Sequence, residues 1–301
     1  MGILVTGSSG LIGSALIPTL TSQGHQIVRL VRRPAAPGEG VAVWDPGAGK
    51  LDHSALNGTD AVIHLAGESI HALRWTQRRK KRIRSSRVRG TQLLSEALAQ
   101  LAAPPRVLVS ASGVNFYGSS SDEVLTEESP AGSDFLSAVC REWEAATEPA
   151  RQRGIRVVNL RIGMVLSANG GALPAMLPAF KAGMGGKLGS GQQFVSWIAI
   201  DDLTRAVSHV LATESLSGPV NAVSPNPVPN LEMTRSLGNV LNRPTLLPLP
   251  ASGVRAIFGE MGDALLLASL RVAPRRLLDS GFTFRFADFE SALRHVLSRC
   301  S

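Results

Sequence analysis

The chain opens on two hydrophobic patterns in succession. GILVTG is a short apolar run closed by glycine, and SSGLIGSALIPTLTSQG places Leu11, Ala15, Leu16 and Leu20 at helical spacing until Gly24 stops them. QIVRLV is a second apolar run, DAVIHLAG a third and RVLVSAS a fourth, with Leu93, Leu94, Ala97, Leu98 and Leu101 marking a helix between the last two. RVVNLRIG, over 156–163, is the next strand. Short strands alternating with helices predict an α/β protein, a doubly wound parallel sheet with helices on both faces. After residue 163 the pattern changes. A glycine-rich stretch fills 170–191, WIAIDDLTRAVSHVL reads as a strand running into a helix, and the proline-rich SPNPVPN opens a part with helices expected over 231–241, 251–270 and 288–297. No internal repeat is visible.

Composition narrows the class. With 301 residues, 44% hydrophobic and 18% charged, the chain can bury a large core in one domain or two. No apolar run approaches the roughly 18 residues of a membrane helix, and a strand pattern that begins at residue 3 leaves no room for a leader, so the expected location is cytoplasmic. Cys140 and Cys300 are too few for a disulfide framework, and the six histidines lack an i, i+4 pair, so no metal site is expected. The net charge of +8 is local: RRKKRIRSSRVR, over 78–89, holds eight basic residues and no acidic one, and the rest of the chain is formally neutral. Without interleaved aromatics this run reads as a solvated helix face or a loop over a pocket, able to gather phosphate-bearing substrates, and nucleic-acid binding is not expected.

The chemistry begins at TGSSGLIG. Gly7, Gly10 and Gly13 stand between a strand and a helix, where the first permits a tight turn, the second lets backbone N–H groups approach a pyrophosphate and the third lets helix pack on strand. The plain alternative is a tight turn with no ligand. An NAD site usually places an acid at the end of the second strand, whereas this chain has Arg32 and Arg33 there. Two guanidinium groups suit the 2′-phosphate of NADP(H), unless they merely end a solvated strand.

The glycine motif, VIHLAG, the loop ending in YG and FVSWIAIDDL resemble an extended short-chain dehydrogenase/reductase. RWTQRRKKRIRSSRVRGTQLL, LTEESPAG, DFLSAVCREWEAA, LRIGMVLSANGGALPAMLPAF, GGKLGSGQQFVSWI, SGPVNAVSPNPVPN and RVAPRRLLDSGF are similar to its atypical epimerase-like branch, which includes proteins called nucleoside-diphosphate-sugar epimerases and, in cyanobacteria and plastids, division inhibitors. The resemblance covers nearly the whole chain. It implies a Rossmann-type domain of residues 1–163 plus about 203–224, and a smaller, mostly helical C-terminal substrate domain of 164–202 plus 225–301. It also implies NADP(H) held by Gly7, Ser9, Gly10, Leu11, Ile12 and Gly13, by Arg32 and Arg33, and by Leu65, Ala66, Gly67 and Glu68. Arg87 falls where relatives often carry an asparagine near the cofactor.

The wider superfamily uses a tyrosine and a lysine four residues later for acid-base work. Aligning Glu144 with the usual downstream acid puts Leu136 and Cys140 at those positions, within a stripe of Phe135, Leu136, Val139, Cys140 and Trp143 that reads as buried. Tyr117, the only tyrosine in the chain, is followed at that spacing by Ser121. Ser112 and Tyr117 are therefore the candidate catalytic donors to a substrate oxygen, with packing of Tyr117 against the lid as the alternative, since the sequence shows no cation beside it. Two functions stay open: an oxidoreductase or epimerase acting on a small molecule, and a non-catalytic NADP(H)-binding regulator, of cell division for example. Pairing of subunits into a homo-oligomer is expected by analogy of fold alone.

Overall fold

A computed structural model describes residues 1–32, 40–71, 73–120 and 122–298. Its strands are β1 (Gly2–Thr6), β2 (Gln26–Val31), β3 (Val41–Asp45), β4 (Lys50–Leu51), β5 (Ala61–His64), β6 (Val107–Gly113), β7 (Arg156–Ile162), β8 (Met164–Leu166), β9 (Phe194–Val195), β10 (Trp197–Ala199), β11 (Gly218–Ala222) and β12 (Val228–Pro229). The helices are α1 (Leu11–Ser22), α2 (Gln77–Ala99), α3 (Phe135–Ala145), α4 (Glu148–Gln152), α5 (Ala172–Lys181), α6 (Ile200–Ala212), α7 (Asn230–Leu241), α8 (Ala251–Phe258), α9 (Arg275–Asp279) and α10 (Phe289–Ser298).

Eight strands form one sheet in the order β11-β7-β6-β5-β1-β2-β3-β4, parallel throughout except where β4 turns back on β3. This is the Rossmann-type fold that alternating strands and helices imply. The period-2 alternation of β1 sends Ile3 and Val5 to one face, with Leu16, Leu20, Leu203 and Val207 of α1 and α6. Leu4 goes to the other, with Leu94 and Leu98 of α2. Both faces are covered, so the central strands are apolar throughout. The chain reverses its direction of travel across the sheet between β1 and β5. Above the carboxyl ends of those two strands lies the crevice in which doubly wound sheets bind ligands.

A separate apolar cluster gathers Leu173 and Phe180 of α5, Trp197, Leu237 of α7, and Phe289, Leu293 and Val296 of α10. Trp197 is fully buried and meets the Phe289 ring edge-on at 5.1 Å.

VAVWD adds a further strand, β3, in which Ala42 and Trp44 face inward while Val43 stays 39% exposed. One expectation needs correction. The helix expected over 251–270 stops at Phe258, where Gly259 takes φ +57 and a short π-helical turn, Gly262–Leu266, follows. Of the two readings of the basic run, a helix face and a loop over a pocket, the structure has the helix, continuous with the one that follows. Thr76 accepts a hydrogen bond from the Arg79 N–H at 3.2 Å, capping a single α2 that carries the whole run.

Candidate functional site

β1 delivers the chain into the glycine turn at the crevice. Gly7 adopts φ +68, and a Cβ there would lie 2.7 Å from the Leu65 carbonyl carbon, so both the backbone and the neighbouring loop demand glycine. A Cβ on Gly13 would collide with the Gly7 carbonyl oxygen and stand 2.8 Å from Ser8 Cα, which is the close packing of α1 on β1. Gly10 caps α1 with no side-chain hydrogen bond, no acid occupies the first turn, and Ser9 and Gly10 are exposed. The first N–H groups of α1 therefore face outward with the positive end of the helix dipole. This cradle, which one methyl group would fill, fits an anionic pyrophosphate. Leu11 and Ile12 lie half-buried behind it. Arg32 is exposed just past the end of β2, and Arg33 lies outside the described residues.

The loop of Leu65, Ala66, Gly67 and Glu68 closes the other side of the crevice, and a buried polar relay fixes it. The Leu65 and Ala66 N–H groups each donate to Thr6 Oγ1 at 3.2 Å. With both lone pairs engaged, Thr6 must donate its own proton to His64 Nδ1, 2.7 Å away, so His64 carries its hydrogen on Nε2 and donates to Thr91 Oγ1 at 2.9 Å. Complete burial pushes the His64 pKa down from 6.5 to about 4. The folded state thus resists a proton that the unfolded chain accepts, and stability falls as the pH drops from about 6.5 towards 4. We expect acidification from pH 7 to pH 5 to cost about 2 kcal/mol through this residue. Urea titrations at the two pH values should show that extra loss in the native chain and not in His64→Gln; equal losses would dismiss the relay.

The basic run is largely consumed within the fold. Arg79 and Arg82 both pair with the Glu68 carboxylate, Lys80 bonds Glu260 at 2.7 Å and Arg84 bonds Glu142 at 2.5 Å. The arginines hold the Glu68 carboxyl below its usual range, Arg82 first. Arg87, half-buried, donates from Nη1 to the carbonyl oxygens of Glu68 (2.9 Å) and Ile83 (3.2 Å) and lies 5.0 Å from the Trp143 ring centre. Its guanidinium carbon is 3.5 Å from where a Cβ on Gly67 would stand, so the candidate Arg87 does meet the candidate loop.

Ser112, the penultimate residue of β6, and Tyr117, just past its end, belong to a second network. Ser112 Oγ donates to Glu144 Oε1 at 2.7 Å. Glu144, near the end of α3, is held by Arg161 of β7 through two parallel bonds of 2.8 Å. Arg161 Nη1 also donates to the Tyr117 hydroxyl at 3.0 Å, and Tyr117 donates to Asn221 Oδ1 at 2.7 Å. Asn221 Nδ2 then donates to the Ala273 carbonyl at 2.9 Å. The expectation of no cation near Tyr117 is thus wrong: a guanidinium from a strand 44 residues on touches its oxygen. Even so, burial raises the Tyr117 pKa, with Arg161 only offsetting it in part. Leu136 and Cys140 are buried as their stripe predicts, and burial, followed by the Glu144 charge, pushes the Cys140 thiol up to about 12.

The glycine turn, the Leu65–Glu68 loop and Arg87 are brought together, and Ser112 and Tyr117 are joined to each other through Glu144 and Arg161. Arg161, Asn221, Thr6, His64 and Thr91 were missed as members of the site. The signal available for Arg161 was a charged residue flanked by Leu160 and Ile162 in a strand buried on both faces. Among the described residues no group of His, Cys, Asp and Glu could hold a metal ion, and no helix is long and apolar enough to cross a membrane.

The profile of the NAD dependent epimerase/dehydratase family matches residues 3–222, and a domain of unknown function matches 249–296. Epimerase family protein Mb2239 of Mycobacterium bovis is 44% identical over 99% of this chain and 98% of its own. The crystal structure of human epimerase family protein SDR39U1 (isoform 2) with NADPH superposes with a TM-score of 0.89 at 34% identity over 99% of both chains. A structure described as the nucleoside-diphosphate sugar epimerase from Corynebacterium glutamicum gives 0.83 at 40% identity, over 99% of this chain and 58% of the other.

Proposed function

The chain belongs to the NAD dependent epimerase/dehydratase family, and from that premise we propose that it binds NADP(H) and turns over a small-molecule substrate in an oxidoreductase or epimerase-like reaction. One observation carries the reading: the uncapped start of α1 opens, through three glycines that tolerate no or little side chain, onto the switch point of the sheet. Arg32 at the end of β2, where an acid would favour NAD, supports the phosphorylated cofactor. The human relative crystallised with NADPH supports it too. A bound nicotinamide supplies hydride acceptance or donation. The chain supplies the rest: N–H groups of α1 and Arg32 bind anions, the Thr6–His64 relay orients the Leu65–Glu68 loop, and Ser112 is the hydroxyl at the carboxyl end of β6 that we assign to the substrate oxygen.

In this reading Tyr117 is a positioning residue. Its proton is already given to Asn221 and a lone pair to Arg161, whereas Ser112 gives its proton to Glu144 and keeps its lone pairs to accept from a substrate hydroxyl. Tyr117 thus steadies Arg161, which steadies Glu144, the partner of Ser112. The reading of a regulator that binds NADP(H) without turnover draws on the loss of the tyrosine-lysine pair to buried Leu136 and Cys140. A screen of nucleotide sugars, aldehydes and quinones with NADPH, followed at the nicotinamide absorbance, separates the two. We expect turnover with at least one class, reduced by about 100-fold or more in Ser112→Ala. No turnover with any class, or turnover indifferent to Ser112→Ala, counts against the enzyme assignment or that of Ser112.

A further inference from the structure

Arg87 has chemistry that cofactor holding alone does not use. Resting on the reading that the crevice takes NADP(H), we propose that Arg87 makes this chain favour the reduced over the oxidised cofactor, by setting an uncompensated cation beside the nicotinamide half.

The topology divides the dinucleotide. The glycine turn after β1 takes the pyrophosphate, and the end of β2, with Arg32, takes the adenosine half, because the ribose nearest the first β-α-β unit is the one read at that strand end. The other half then lies across the switch point, over β5 and β6. Arg87 is on that side. Its Nη1 bonds the Glu68 carbonyl, its guanidinium stands against Gly67, and both belong to the loop that leaves β5. Across from it are Trp143 and Cys140 of α3, the helix packed beside β6.

The charge at this place is one-sided. Among the described residues Glu68 is the one carboxylate bonded in the cluster, and its single charge, which also acts on Arg87, is shared by Arg79 and Arg82, so the cations stay in excess. Arg87 bonds carbonyl oxygens instead, and its Nε and Nη2 make no hydrogen bond to a described residue, nor are they buried orphans. Cys140 stays a neutral thiol and cannot balance it. Oxidised nicotinamide carries a positive ring and reduced nicotinamide does not, whereas the phosphates and the adenosine are common to both. A fixed guanidinium on the nicotinamide side therefore repels one redox form and leaves the other alone. At a partly exposed protein site the repulsion of two such charges at close range is worth roughly a factor of ten in binding.

Calorimetric Kd values for NADPH, NADP+ and 2′,5′-ADP, which has the phosphates of the adenosine half but no nicotinamide, test this in the native chain, Arg87→Gln and Arg87→Lys. We expect the native chain to bind NADPH about tenfold more tightly than NADP+. Arg87→Gln should bring that ratio down towards one, with 2′,5′-ADP within about twofold of the native value as the sign of an intact fold, and Arg87→Lys should keep most of the preference. A ratio unchanged in Arg87→Gln overturns the proposal while leaving cofactor binding in place. An equal loss for all three ligands overturns it in favour of a contact to the shared phosphates or to loop structure. Failure of the native chain to bind any of them ends both this proposal and the reading beneath it.

Discussion

Arg161→Ala is expected to lower the free energy of unfolding by about 3–5 kcal/mol, the cost of leaving a buried charge without its partner. The Arg161 side chain is 4% exposed and that of Glu144 13%, and among the described residues no other ion pair has both partners so enclosed. Removing the guanidinium strands the Glu144 carboxylate, deprives the Tyr117 oxygen of a donor, and removes the cation that lies 3.4 Å from the Phe116 ring centre. Glu144→Gln should cost less, since an amide can still accept from Arg161 and Ser112. The pair Arg161→Met with Glu144→Leu should recover much of the loss by exchanging both charges for packed apolar groups. Urea denaturation followed by circular dichroism decides. A loss under about 1 kcal/mol for Arg161→Ala would show that water reaches the pair and that the network does not hold α3 against β7.

Gly10→Ala should separate binding from folding. At φ −78 an alanine is unstrained, its Cβ meets only the Gly7 carbonyl at 3.2 Å, and the change at a helix cap costs about 0.5–1 kcal/mol. The same methyl group fills the approach to the first N–H groups of α1, so NADPH affinity should fall by roughly 100-fold with the unfolding midpoint only slightly lowered. Gly13→Ala should behave in the opposite way. Its Cβ strikes the Gly7 carbonyl and Ser8 Cα, backbone that cannot yield, at a cost of about 1–3 kcal/mol in stability before any ligand is added. If Gly10→Ala binds NADPH as the native chain does, the cofactor phosphates are not where the glycine turn puts them.

The sequence made the sheet legible where local chemistry alone decides it. Apolar runs closed by glycine mark β1, β5 and β7 because each is buried on both faces, and the glycine turn is readable because the positive φ of Gly7 and the close approach of Gly13 to Gly7 and Ser8 act within seven residues. β3 escaped notice because it is half-exposed near the sheet edge, so its alternation spans five residues and carries little signal. The ion pairing of the basic run was hidden for a different reason: the run looks solvated, and the carboxylates that pair with it, Glu68, Glu142 and Glu260, are contributed from up to 180 residues away. The same holds at Tyr117. Its partners Arg161 and Asn221 arrive from the next two strands of the sheet, β7 and β11, and only the register of those strands brings them to one point. Contacts of high sequence separation between polar residues leave no periodic trace, whereas the apolar stripe of α3 does.

The most direct test of the account is a calorimetric titration of the native chain with NADPH and, separately, with NADH. The glycine cradle and Arg32 predict one site per chain and NADPH bound at least tenfold more tightly than NADH, the scale of one added charge-assisted contact. Heat from neither dinucleotide, or tighter binding of NADH, would contradict it.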